Sequence, residues 1–507
     1  MALFGKVLTY HDDLKALAIA GATDRARLPD SRELSLLDTS LDELVAPRDK
    51  LEPKAEVFRA RVLDLFGIDV AGDFCGISIP HPFMLAPGTY THNARQVRMA
   101  AHVGWAGIGL KTLVGNDEDG RCSLAERSRK VFFAPDKRFL SQTRFLSGER
   151  GSELDVDTYV REVLRDSLAV GEEAGILVKP SFTCGRPFEE HVAEWHYTIR
   201  RLSEMQQRAM ETDFSPDYAY PPPDTFEELE EIQNEYVRTV VGITAFCQEF
   251  AAETVGPGVV VAPKLNSAMF PVMRVLLSVL AEHGVAKGFV GFNRPFGAYI
   301  DPFSLVALRS AYGGENHKIA NINLFREIYS NGDFGLPASA TGGCVTGFDA
   351  VEYISSGEIG SIQVVSQCYY QGQENVLKRL LGGFVVAMVH LNRTCPDKYG
   401  FEVVSVADLK RKSHHPAVAG AFRAVYPSET RRFRAEIDQT KCKHCREKSP
   451  IHPHTVCRAL LVCPYRAIET VDPEQGIFRV NPDLCAGCGT CLPCDAIHMT
   501  DRAADRM

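Results

Sequence analysis

The chain of 507 residues lacks several features that would each set its class at once. It has no excess of positive charge: 56 Lys and Arg stand against 65 Asp and Glu, for a net charge of −9 and an isoelectric point near 6.0. That balance excludes a general attraction to nucleic acid or to an anionic membrane surface. It has no long apolar run either. The longest, around Phe384 to Leu391, falls well below the roughly 20 residues that span a bilayer, so no membrane segment is expected. Near Met1 the basic, apolar, small-residue order of a secretory leader is missing, because Asp12, Asp13 and Lys15 interrupt the apolar positions, and a cytoplasmic protein is expected. Nor is there a Gly-x-Gly-x-x-Gly strand-turn-helix signature, so no dinucleotide site of that kind is expected in this chain.

What is present points to a large globular protein. Hydrophobic residues make up 45% and charged residues 24% of the chain, enough for an extensive core and for more than one structural unit. Fifteen cysteines would suggest disulfides in a small secreted domain, but eight of them crowd between Cys442 and Cys494 of a long chain. Metal ligation explains that crowding better.

The run Cys485-Ala-Gly-Cys488-Gly-Thr-Cys491 has CxxCxxC spacing, with glycines that let backbone wrap an inorganic cluster. In two-cluster ferredoxins the fourth thiolate comes from the other half as a cysteine followed by proline, and Cys463-Pro464 has that form. Cys463, Cys485, Cys488 and Cys491 are therefore assigned to one [4Fe–4S] cluster. Symmetry gives Cys442, Cys445, Cys457 and Cys494 to a second, although the interval from Cys445 to Cys457 is long and Cys494 is followed by Asp495 instead of proline. His452 and His454 are alternative ligands there, and a pair of zinc ribbons is the competing account of the whole tail.

Ahead of the tail, between about residues 73 and 391, short apolar segments alternate with helix-length amphipathic ones, the pattern of βα units around a parallel sheet. The expected strands are Phe83–Ala86, Gly107–Lys111, Ile176–Lys179, Gly258–Lys264, Gly288–Phe292, Leu336–Ala340 and Ile362–Ser366. Leu229, Ile232, Tyr236, Val240, Ile243 and Cys247 recur every three or four residues and mark the buried face of one helix, with Cys247 structural. Several strands end in polar or glycine-containing turns, where a (β/α)8 TIM barrel carries its chemistry. Gly342-Gly343 could cradle a phosphate, with the positive end of a helix over Thr346 to Tyr353 nearby; an ordinary tight turn is the bland alternative.

His81-Pro-Phe-Met-Leu-Ala-Pro-Gly88, Gly104-Trp-Ala-Gly-Ile-Gly-Leu-Lys-Thr112, Pro263-Lys-Leu265, Ala340-Thr-Gly-Gly343 and Gln363-Val-Val-Ser366 together resemble, in that order, the flavin barrel of dihydroorotate dehydrogenases. The likeness is nearest to the pyrimidine-reducing half of dihydropyrimidine dehydrogenase, which also carries a two-cluster ferredoxin segment. The resemblance implies FMN on top of the barrel. Ala86 and Gly88 would lie along the isoalloxazine ring, Lys111, Thr112 and Lys264 would approach its polar edge, and Gly342, Gly343 and Ser366 would hold the phosphate. Gly313-Gly-Glu-Asn-His317 departs from the family's phosphate turn. It also implies a dimer, as is common in the family.

The substrate side differs from the family. Its Asn-x-Ser-Cys-Pro segment is matched only by Asp213-Phe-Ser-Pro216, which leaves Ser215 and Asp213 as acid/base candidates, Tyr218 and Tyr220 behind them and Cys184 last; a plain turn explains the segment equally well. Ser141 falls near a second family asparagine, while Asn293 is retained but followed by Arg294, a fork suited to carboxylate or phosphate. The natural substrate is therefore expected not to be uracil, thymine or dihydroorotate.

The expected organisation is thus α/β: an N-terminal helical extension (1–72), an FMN-binding (β/α)8 barrel (73–391), a basic connector (392–436) containing Lys410-Arg-Lys-Ser-His-His415, and an α+β ferredoxin-like domain with two [4Fe–4S] clusters (437–507). Leu36, Leu37, Leu41 and Leu44 mark a helix in the extension. The expected activity is reduction or oxidation of an activated C–C bond in a small molecule. The rival is an electron-relay subunit serving a catalytic partner.

Overall fold

A computed structural model of the chain describes residues 7–19, 25–124, 133–135, 144–147, 152, 154–214, 225–266, 270–293, 296–300, 307–314, 317–330, 335–413, 415–418, 421–422, 433–442, 447–448, 455–457, 459–460, 463, 467–472, 474–482, 484–485, 491 and 494–501. Three helices come first, Tyr10–Ile19, Ser31–Val45 and Lys54–Phe66. Asp30 caps the second through the Glu33 amide while Glu33 reaches back to the Asp30 amide, satisfying two otherwise orphaned donors. Leu37, Leu41 and Leu44 are buried as the spacing requires, but Leu36 turns to solvent. These helices share one core with the rest of the α/β unit, and the buried Asp13–Arg379 pair ties the first to the long helix Gln373–Tyr399.

The sheet elements follow in chain order. A hairpin, β1 (Gly72–Phe74) and β2 (Ile77–Ile79), precedes β3 (Phe83–Leu85), β4 (Gly107–Gly109) and β5 (Leu113–Val114). An antiparallel pair, β6 (Phe133–Pro135) and β7 (Arg144–Ser147), comes before β8 (Leu177–Lys179), β9 (Ser181–Thr183), β10 (Ala209–Asp213), β11 (Val260–Asn266) and β12 (Phe289–Asn293). β13 (Phe296–Ile300) and β14 (Ala307–Gly314) join β6 and β7 in a four-stranded sheet, and β15 (Ala338–Thr341) and β16 (Ile359–Val364) complete the series.

Ten of these strands form one curled parallel sheet of TIM-like α/β type. Each expected strand has its counterpart. Pairing runs in chain order from β3 through β4 to β8, from β9 through β10, β11, β12 and β15 to β16, and β16 returns to β3. Only Pro180 separates β8 from β9, and the ladder passes across it: the Leu110 amide donates to the Lys179 carbonyl at 2.9 Å and the Glu211 amide to the Pro180 carbonyl at 2.9 Å. The β1–β2 hairpin sits under the N-terminal end of the strands. Its Phe74, Cys75, Ile77 and Ile79 pack with Met84, Ala209, Val260, Ala262 and Val290 on the inner face, while the alternate residues Phe83, Leu85, Met210, Val261 and Leu265 face the helices.

The helix Gln373–Tyr399 runs through residue 391, because the end of an apolar run marks the end of burial and not the end of a helix. Beyond it, Val403, Val406, Leu409, Val418 and Phe422 lie in the same core, and Lys410 reaches Asp73 at 3.1 Å. The described residues between 400 and 422 thus contribute to the packed core. Gly313 and Gly314, offered as a divergent phosphate turn, pair with Phe145 and Arg144 inside the antiparallel sheet. Among the described residues no helix is long and apolar enough to cross a membrane.

Candidate functional site

The expected flavin-binding residues fall at one end of the parallel sheet. Ala86 and Gly88 follow β3, Lys111 and Thr112 lie between β4 and β5, Lys264 is near the end of β11, Gly342 and Gly343 follow β15, and Ser366 comes just after β16. Asp213 closes β10 and Asn293 closes β12. Parallel strands carry all of these to the same C-terminal rim. Ser141, Ser215, Tyr218, Tyr220 and Arg294 lie outside the described residues.

Lys111 and Lys264 are not surface lysines: each is only 5% exposed. Along β10, Met210 faces the helices while Ala209 packs with the floor, so Glu211 and Asp213 point inward. Glu211 is completely buried, with the Lys179 ammonium on one oxygen and the Lys264 ammonium 3.1 Å from the other. Gln363 Nε2 donates to it at 3.2 Å and Ser181 Oγ at 3.3 Å. Burial pushes the Glu211 carboxyl up, but Lys179, Lys264 and the hydrogen bonds from Lys179 and Gln363 outweigh it and hold the group at about 2. It is a carboxylate at neutral pH. Gly109 makes the arrangement possible, since a Cβ there would lie 2.7 Å from Pro87 Cδ and 3.2 Å from Lys179 Nζ. Above this layer, Thr112 Oγ1 lies 3.1 Å from Ser181 Oγ and donates to Asp213 Oδ2 at 3.5 Å.

The Gly342-Gly343 turn has φ of 83° and 78°, a left-handed conformation that glycine adopts without strain. A side chain at Gly343 would overlap the backbone of Lys318 in the helix His317–Tyr329. The following helix, Gly347–Ile354, does not offer its positive end to a ligand as expected. Asp349 takes the Val345 and Thr346 amides at 2.8 Å and is itself paired with Lys318 Nζ at 3.0 Å, and Gly347 is pressed against the Gln373–Tyr399 helix. A carboxylate already occupies the position a phosphate would take at that helix. Phosphate binding by this region is left to the glycine turn and Ser366.

In the tail, Cys457, Cys463, Cys485 and Cys491 are buried and Cys442 and Cys494 half-buried; Cys445, Cys488, His452 and His454 lie outside the described residues. The Ala467 amide donates to Cys463 Sγ at 3.3 Å and the Ala435 amide to Cys485 Sγ at 3.3 Å. Cys457 accepts from the Leu460 and Ala459 amides and lies close enough to Cys442 and Cys494 for their charges to act on it, though burial, the largest influence, pushes its thiol up. Amide donors aimed at sulfur favour thiolate ligands. Among the described residues no three His, Cys, Asp or Glu side chains are arranged to hold a single metal ion. The buried cysteines pack with Ala435, Ala467, Phe478 and Ile497 and with Ala320 of the helix His317–Tyr329.

No family model matches this chain, and no curated protein matches it.

Sequence reasoning missed Lys179, Glu211 and Gln363 as site residues, and missed β10 itself. A signal existed: Ala209, Glu211 and Asp213 alternate with Met210 and Thr212, the two-residue period of a strand. It was weak because a polar inner face of the sheet removes the apolar run by which buried parallel strands are usually found. Cys184, the last acid/base candidate, is fully buried beside Thr198 Oγ1 at 3.5 Å, and burial pushes its thiol well up. That suits a core position better than proton transfer.

Proposed function

We propose that the chain is an FMN- and iron–sulfur-dependent oxidoreductase acting on an activated C–C bond of a small molecule other than a standard pyrimidine. In this reading the curled sheet is a (β/α)8 barrel, the N-terminal helices are its extension, and the tail is a ferredoxin-like domain with two [4Fe–4S] clusters. One observation carries it. Buried lysines and the Gly342-Gly343 turn share the C-terminal rim, and the helix that backs that turn at Lys318 contributes Ala320 to the buried cysteine cluster two residues later.

The residues present fit FMN. Lys111 and Lys264 offer buried positive charge to its polar edge, the Gly342-Gly343 turn lies at the same rim in a left-handed conformation, and among the described residues the buried Oε1 of Gln363 has no hydrogen-bond partner. Lys111, Lys264 and Thr112 would hold the ring, with Gly342, Gly343 and Ser366 at the phosphate. Bound there, FMN would supply hydride transfer and convert single electrons to pairs. Asp213, buried at the rim and in register with Lys264, can hold or deliver a proton, with Thr112 orienting its carboxylate. Cys463, Cys485, Cys488 and Cys491 would hold one cluster and Cys442, Cys445, Cys457 and Cys494 the other. A cytoplasmic setting suits these ligands because it keeps thiols reduced. The electron partner is a ferredoxin or a separate FAD/NAD(P)H subunit.

The test is anaerobic purification with FMN, iron and sulfide assays, then photoreduction and addition of candidate acceptors while the flavin visible band is followed. Reoxidation by a small unsaturated acceptor is expected. Zinc in place of iron, or no retained flavin, would end the proposal. Fast exchange with a co-purifying protein and with no small acceptor would transfer the case to the electron-relay reading.

A further inference from the structure

Resting on the FMN reading, we propose that Glu211 is a positioning residue that, clamped between Lys179 and Lys264, fixes the charge beneath the flavin and so sets its reduction potential. Three neighbouring strand segments bring these groups together, β8 with Lys179, β10 with Glu211 and β11 with Lys264. Lys264 is the member at the rim, its register partner on β10 being Asp213, while Lys179 lies deeper, its Nζ 4.9 Å from the centre of the Phe74 ring in the hairpin floor. Glu211 therefore stands between a lysine that would approach the cofactor and one that cannot. Its Oε1 accepts from Lys264 at 3.1 Å and from Ser181 at 3.3 Å, while Oε2 accepts from Lys179 and from Gln363 at 3.2 Å. With both oxygens engaged the carboxylate cannot rotate, and the Lys264 ammonium is held by it.

The electrostatic consequence has a definite sign. A fixed carboxylate below the ring opposes the negative charge that reduction brings, and a buried ammonium favours it. Lys179 partly neutralises Glu211 from below, so removing either member unbalances the pair in a known direction. Packing loss alone would not give opposite signs for two members of one cluster.

The experiment compares the two-electron midpoint potential of bound FMN, by spectroelectrochemistry on the full-length holoprotein, in wild type, E211Q, K179M and the double variant. E211Q should raise the potential and K179M should lower it, each by about a tenfold change in the reduced-to-oxidised ratio, or ~30 mV for a two-electron couple. The double variant should return toward wild type. Should E211Q not fold, K179M decides alone, since it leaves Glu211 paired with Lys264 and puts an apolar chain of similar length beside Phe74. Shifts of the same sign in both variants, or no shift in K179M with flavin bound, would overturn the inference and leave the FMN reading intact. A wild-type protein that binds no flavin would overturn both.

Discussion

Replacing Glu211 by Gln gives the most direct test of the buried charge cluster, and it needs no cofactor. The carboxyl falls from an ordinary 4.5 to about 2 in the folded chain, and a tenfold change in proton affinity corresponds to about 1.4 kcal/mol. Its ionisation therefore contributes about 3 kcal/mol to folding at neutral pH, in the range of about 3–5 kcal/mol lost when one partner of a buried ion pair is removed. Because the folded value lies below the unfolded one, that stability is present above pH 4.5 and is lost as pH falls toward 2. E211Q should lower stability by about 3 kcal/mol at pH 7 and flatten the acid limb between those values, as read from urea unfolding at a series of pH values. Adding K179M should restore part of the loss, because one buried ammonium then goes with the carboxylate it faced. The two substitutions should be non-additive by more than about 0.5 kcal/mol. An E211Q protein as stable as wild type, or strictly additive losses in the double variant, would refute a charged, mutually dependent cluster.

Three other outcomes are expected. His81 is buried, with Nε2 3.0 Å from the Gly104 carbonyl and Nδ1 accepting from the Phe83 amide at 3.3 Å; burial, opposed by the Gly104 bond, takes it down to about 4. Its contribution is full above pH 6.5 and is lost as pH falls toward 4, so wild type should lose about 2 kcal/mol more than H81Q between pH 7 and pH 5. G343V should destabilise the chain by more than about 2 kcal/mol, from a strained φ and overlap with the Lys318 backbone, and whatever folds should retain no FMN; retention by a stable variant would remove the glycine turn from the site. C463S should lower iron and sulfide content by about one cluster of the proposed pair, with far-ultraviolet circular dichroism of the α/β unit unchanged; unaltered iron would reject that ligand assignment.

Much of the architecture was legible because it depends on local patterns. Apolar segments such as Phe83–Leu85 and Ile359–Val364, fully buried on both faces, carry the signal of a parallel sheet, and the helix face of Tyr236, Val240, Ile243 and Cys247 is buried as its spacing requires. Lysines that directly end apolar strands marked themselves as unusual, and Lys111 and Lys264 are indeed enclosed. Other features were hidden for stated reasons. The helix Gln373–Tyr399 continues past the apolar run that ends at Leu391 because polarity rises about two turns before helical hydrogen bonding stops. The free positive end expected near Thr346 was overruled by Asp349, whose side chain folds back on the amides three and four residues before it, a capping choice that its position permits but does not require.

The linear order of residues by itself determined the alternation of strands and helices, the glycine turns at strand ends and the clustering of cysteines, since each follows from spacing along a few turns or strand lengths. Only the tertiary structure decided that Lys179, Glu211 and Lys264 meet. They come from separate strands, and a carboxylate is stable on the buried inner face of the sheet only where neighbouring strands deliver opposite charge to it. Their encounter depends on strand register, which curls the sheet and turns alternate residues inward, and no local pattern specifies that.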